Sequence, residues 1–137
     1  MLKPAVLFVG LCSLALVGPS VAPAAQHGGI DITGDWDVDI EHKRRRCRWQ
    51  GQVRLDQTGT KLTGSGEAAA PPAQRFCPFL KGAVEGSVDG PRVKFGFATG
   101  GLGTGEFEGA LLSGGRRLEG TWTARTAAGT WRAERVE

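Results

Sequence analysis

The side chains able to do chemistry are few and poorly placed for it. His42 is the only histidine inside the patterned part of the chain, and no serine or cysteine beside it is marked as a nucleophile. Asp35, Asp37, Asp39 and Glu41 alternate along one stretch and raise the question of calcium. Ligands two apart on a flat strand do not encircle an ion, so these acids read as an ordinary wet face. Gly100-Gly101-Leu102-Gly103 lacks both the strand–loop–helix setting and the lysine of a phosphate loop, and it reads as a turn. Cys47 and Cys77 have no His or Cys neighbour at metal-ligand spacing. The expectation is therefore a protein that is not an enzyme, with no catalytic residue, cofactor or metal.

Two other groups of residues point to binding. Trp49, Phe95, Phe97, Phe107, Trp122 and Trp131 all fall on the apolar sides of short alternating segments. They either line a ligand cavity or simply fill an interior, and filling weighs slightly more. Lys43, Arg44, Arg45 and Arg46, followed by Arg48 and Trp49, form a basic corner suited to a nucleic acid, a heparin-like polymer or an anionic surface. With only one aromatic interleaved and Asp39 and Glu41 nearby, a solvated turn is the weightier reading.

The elements that must position these groups are strands. From Ile32 to Ile40, polar and apolar residues alternate without a break, the period of a half-buried strand with one wet face. The same pattern returns in short pieces and predicts eight strands, at 33–42, 48–57, 61–68, 83–89, 92–98, 105–112, 116–125 and 130–136. Thr58-Gly59-Thr60, Asp89-Gly90 and Ser113-Gly114-Gly115 supply hairpin signals, and Ala127-Ala128-Gly129 is read as a further turn. Pro71, Pro72 and Pro78 exclude a central strand between Ala69 and Lys81, which becomes the longest connection, with an apolar edge of Phe76, Phe79 and Leu80. Eight antiparallel strands with one apolar face must close or pair as a sandwich. Nearest-neighbour connections favour closure, so the expected fold is all-β, a single antiparallel eight-stranded up-and-down β-barrel. Glycines recurring on the apolar faces suit sharp coiling, and they are expected to leave space inside.

The chain of 137 residues suffices for one domain. Lys3 followed by the apolar stretch 5–17 and Ala22-Pro23-Ala24 has the form of a signal peptide. The expected organisation is a cleaved signal peptide at 1–24, a lead-in at 25–31 and the barrel domain at 32–137. A lipoprotein acylated at Cys12 and an uncleaved anchor are weaker alternatives. Removing the leader takes away one lysine and no acid, which lowers the formal charge of +3 by one. So mild an excess decides nothing about nucleic acid, since a binder concentrates its charge on one face. Cleavage also leaves Cys47 and Cys77, most simply a disulfide in an exported chain, with two free thiols as the lesser alternative. The expected location is secreted or periplasmic.

Gly34-Asp35-Trp36 at the start of the first strand resembles the Gly-x-Trp of the calycin group, the lipocalins and avidins. A basic residue on the last strand, Arg135 or Arg132, falls where the family's Arg or Lys covers that Trp, and strand parity selects Arg135. The likeness spans 32–136 in strand count and order, and it is to a small secreted bacterial type of meander barrel. It implies a barrel plugged at one end by Trp36 and Arg135 that binds a small, largely apolar molecule at its other end. Two functions stay open on these grounds. One is a secreted small-molecule carrier with an apolar or amphipathic ligand. The other is an interaction or inhibitor module with a solid barrel, meeting a protein or anionic polymer through its loops. Interior volume separates them.

Overall fold

The structure, a computed structural model, describes residues 30–99 and 103–137. The signal peptide with Cys12, most of the lead-in and residues 100–102 of the glycine-rich loop lie outside the described residues. Alternation makes the first strand, β1 (Gly34–His42): Trp36, Val38 and Ile40 are buried, while Asp35, Asp37 and Glu41 face solvent. Seven more follow as β2 (Arg48–Thr58), β3 (Lys61–Ala69), β4 (Leu80–Asp89), β5 (Arg92–Thr99), β6 (Gly103–Leu112), β7 (Arg117–Ala124) and β8 (Ala127–Arg135). Each pairs antiparallel with the next, and β8 pairs with β1, so the sheet closes into a meander barrel without edges.

The outward face is tied by cross-strand pairs. Arg54 meets Asp35, Gln52 donates to Asp37, and Arg48 donates twice to Asp39. The acids of β1 are thus spent on β2, with β1 and β2 in the register Asp35↔Arg54, Asp37↔Gln52 and Asp39↔Gln50.

Most boundaries agree with the sequence reading within two residues, with β6 starting at Gly103, which the sequence reads as turn, rather than 105; two differ by three. β4 begins at Leu80 rather than 83, because the chain is already extended straight after Pro78, and Leu80 points inward and is buried. The stretch Ala127-Ala128-Gly129 is strand, not turn. The reversal is made by Arg125 and Thr126, with Arg125 in the left-handed region at φ 49. The signal there was three small residues, yet Gly129 is needed for close contact inside the sheet. It sits opposite both His42 and Trp122, and a Cβ on it would overlap the Glu41 carbonyl oxygen.

That contact corrects the expectation that inward glycines leave volume. At Gly51, Gly64, Gly82, Gly86, Gly109 and Gly120 an added Cβ would likewise strike backbone of the adjacent strand. The space is taken by main chain that has closed in, so these glycines tighten the barrel.

Rings fill what remains. Phe107 stacks on Phe95 at 5.2 Å and on Trp122 at 6.1 Å, while Trp131 meets Phe95 and Phe107 edge-on at 5.4 and 5.8 Å. Phe97 lies 6.0 Å from Phe107, and Trp49 meets Trp122 edge-on at 6.3 Å. Such pairs are worth about 0.5–1.5 kcal/mol each beyond their burial.

Candidate functional site

The two ends of the barrel are built differently. At the end where β1 begins, the Trp36 indole is fully buried and donates to the Ile32 carbonyl at 2.9 Å. Arg135 lies opposite it in register, with its guanidinium carbon 4.7 Å from the ring centroid. The same guanidinium donates to the carbonyls of Thr33, Asp31 and Gly115, so the stack also holds the incoming chain and the β6–β7 turn. Parity decides which arginine does this: Arg132 faces outward and is exposed. A guanidinium over indole is worth ~0.5–2 kcal/mol depending on burial, and three carbonyl bonds add to it. Arg135→Ala is expected to lower the melting temperature by several degrees, while Arg125→Ala on the exposed β7–β8 turn leaves it nearly unchanged. Thermal unfolding followed by circular dichroism checks the pair, and equal effects would count against the plug.

The opposite end carries the β1–β2 turn, the 70–79 connection and the β7–β8 turn. Cys47 and Cys77 are disulfide-bonded, joining the turn to the connection across 30 residues. Closing a loop of that size stabilises by roughly 3–4 kcal/mol on a chain-entropy account. The Trp49 indole donates to the Pro78 carbonyl at 2.8 Å, and the Gln74 side chain accepts from the Arg48 amide at 3.0 Å. Lys43 donates its amide to the Ala128 carbonyl at 2.7 Å, which ties in the start of β8. The connection is therefore strapped over this end. Beneath it lies an apolar space of about 10 Å³ between Ile40, Trp49, Leu80, Gly105, Phe107, Trp122 and Ala124. That volume matches about one water molecule, and an apolar lining keeps so small a space dry.

The structure brings Trp49, Phe107 and Trp122 together around this space. Phe95, Phe97 and Trp131 do not line it and are buried as interior filling, Phe97 edge-on to Phe107 and Trp131 edge-on to Phe95. The indole nitrogens of Trp122 and Trp131 reach through to main chain, donating to the carbonyls of Glu41 and Glu108. Both carbonyls are the ones a Cβ at Gly129 or Gly120 would strike, so closing in of the strands creates the acceptors that the indoles satisfy.

The basic corner divides. Arg48 is engaged with Asp39, which holds the Asp39 carboxyl below its ordinary range and the guanidinium above its own. Lys43, Arg44, Arg45 and Arg46 are exposed, and among the described residues none of the four forms an ion pair. His42 shapes their turn: its Nδ1 accepts from the amides of Arg44 and Arg45 at 3.0 and 3.1 Å. The ring packs edge-on to Trp122 at 5.8 Å. Partial burial, then Arg45 and Arg44, pull its pKa below the ordinary value. With its Nδ1 accepting from two backbone amides, His42 has a structural task in this turn. No group of three or more metal-ligating side chains converges among the described residues. Of the apolar edge read from sequence, Leu80 turns in to line this space while Phe76 and Phe79 stay exposed; sequence reasoning missed Gly105 and Ala124, since neither stood out from its neighbours.

The architecture is that of a closed eight-stranded up-and-down β-barrel with one end plugged and the other strapped by a disulfide-bonded connection. Among solved structures, a redesigned β-barrel, mFAP1, bound to DFHBI, is similar over 76% of this chain and 94% of its own, with a TM-score of 0.64 at 14% identity. A second redesigned β-barrel matches over 80% of this chain and 99% of its own, with a TM-score of 0.59 at 17% identity. At these identities the likeness is one of fold. No protein-family model matches the chain, and no curated protein matches it.

Proposed function

We propose that this protein is an exported, non-enzymatic binding barrel that takes a small apolar or amphipathic molecule at the end opposite the Trp36–Arg135 plug. The observation that carries this reading is the apolar space walled by Trp49, Phe107 and Trp122 beneath the strapped connection. One structural neighbour is a barrel bound to DFHBI, which supports a bound compound in this topology. As it stands the space is far below the ~300–1,000 Å³ of ordinary ligand pockets. A ligand must therefore displace Leu80 or lift the connection, and affinity will be modest. The signal-peptide pattern and the disulfide support export.

The filled interior favours a second reading, the interaction or inhibitor module whose solid barrel meets a protein or an anionic polymer through its loops. Titration separates the two. Tryptophan fluorescence should shift as fatty acids, retinoids or small aromatic compounds are added, with Trp49→Ala or Phe107→Ala, both in the wall of the space, blunting the change. Native mass spectrometry of the purified protein should find a retained small molecule. No shift at tens of micromolar, about −6 kcal/mol on the affinity scale, leaves the interaction module.

A further inference from the structure

The strapped end has a feature that the interior site does not use. Its three described segments, 43–47, 70–79 and 125–126, hold Lys43, Arg44, Arg45, Arg46, Arg75 and Arg125 and no acidic residue. All six cations are exposed. The same end presents Phe76 and Phe79, which are 59% and 55% exposed, whereas every other aromatic side chain of the strands is buried. The plug end has a mixed character: Arg116 is paired with Glu137 at 3.0 Å, Arg135 is spent on Trp36 and three carbonyls, and Asp31 and Asp89 stand nearby.

Holding four like charges in one turn and two bare phenyl rings beside them costs stability. The chain nevertheless fixes both. His42 and the His42–Cys47 backbone bond shape the turn, and the disulfide anchors the segment carrying both rings next to it. We infer that this end docks onto an anionic lipid bilayer surface, with Phe76 and Phe79 entering the interfacial layer and the six cations lying over the lipid headgroups. The nearest acids, Asp39 and Glu41, are paired with Arg48 on β1 and β2, which leaves apolar rings flanked by Lys and Arg that are unpaired among the described residues, the combination that an anionic bilayer surface selects. Charge complementarity and geometry favour a bilayer over a polymer. The exposed rings and the cations belong to three segments gathered at one end of the barrel, a placement suited to a flat surface, while a single strand needs a groove with stacking rings along it. The inference is independent of any interior ligand, because none of these residues lines the apolar space.

Co-sedimentation of the full purified chain with vesicles tests it. Vesicles of phosphatidylcholine mixed with phosphatidylglycerol are compared with pure phosphatidylcholine. The N-terminal segment is the same in every variant, so differences report the barrel. Binding to the anionic vesicles is expected to be at least tenfold stronger. It should collapse near 1 M salt, where the Debye length is about 3 Å. Each cation near such a surface strengthens binding about fivefold, so the R44E/R45E double variant should lose more than tenfold. K61E/R92E makes the same charge change at the plug end and should bind as the parent does. F76S/F79S should weaken binding severalfold and leave the salt dependence in place. All these positions are exposed, and unchanged melting temperatures confirm folding. Equal binding to neutral vesicles overturns the inference, as does retained binding by R44E/R45E, parental binding by F76S/F79S, or equal loss in K61E/R92E. Capture on a heparin-type polymer without preference for anionic vesicles overturns it in favour of the polymer.

Discussion

Gly129→Ala is expected to destabilise the barrel by about 3 kcal/mol or more, at the upper end of overpacking costs. The added methyl would overlap the Glu41 carbonyl oxygen and approach the Trp122 indole nitrogen to 2.7 Å. Neither neighbour can retreat cheaply. Glu41 belongs to the β1–β8 ladder, and its carbonyl accepts the Trp122 N–H at 3.0 Å. Moving either one breaks that bond as well as the close pairing of the strands. The control is Gly96→Ala on β5, where an added Cβ meets nothing nearer than a Thr104 methyl at 3.5 Å. Gly in a strand interior is itself weakening, so Gly96→Ala should be neutral or slightly stabilising. Thermal melts of the two variants make the comparison. At ~4–8 °C per kcal/mol for a domain near this size, Gly129→Ala should lose well over 10 °C. Similar midpoints for both would mean that the strands do not close in at Gly129.

The same substitution with opposite outcomes shows where the sequence was legible and where it was not. Alternation along Trp36, Val38 and Ile40 identifies strand and face together, since a period of two admits no other regular structure. Parity then extends across the barrel: once Trp36 is inward, Arg135 must share its side and Arg132 cannot. Hairpins were legible at Asp89-Gly90 because Gly90 supplies the positive φ, 60°, that the turn needs. The β7–β8 turn was not, because an arginine takes the left-handed position there and the neighbouring glycine answers to a different demand. The roles of the inward glycines were hidden for the same reason. Gly129 meets Glu41, far away in the chain, and no local pattern reports how closely two distant backbones approach. Interior volume is a property of such approaches. The aromatic residues facing inward could be named from sequence, but whether they surround a cavity or fill one could not.

Trp122 is where stability and binding at the strapped end meet. Trp122→Ala is expected to cost about 3–5 kcal/mol, the range for a large ring removed from a core. The ring touches Phe107, Trp49 and His42, so three ring contacts disappear together. The Glu41 carbonyl also loses its indole donor, and the loss of that part-buried hydrogen bond adds to the cost. Trp122→Phe keeps much of the volume and removes the N–H, and should fall between parent and alanine. The alanine variant does more than weaken the barrel, because the vacated volume joins the existing apolar space beside Ile40, Leu80 and Ala124. An apolar cavity of that kind stays dry and accepts a small aromatic molecule. Benzene or indole should therefore raise the melting temperature of Trp122→Ala in a concentration-dependent way and have little effect on Trp122→Phe. If a ligand must displace side chains to enter the parent barrel, the parent should respond far less than the alanine variant. An equal rise in parent and variant would show that the strapped end already opens without help, and would strengthen the ligand-binding reading over the solid interaction module.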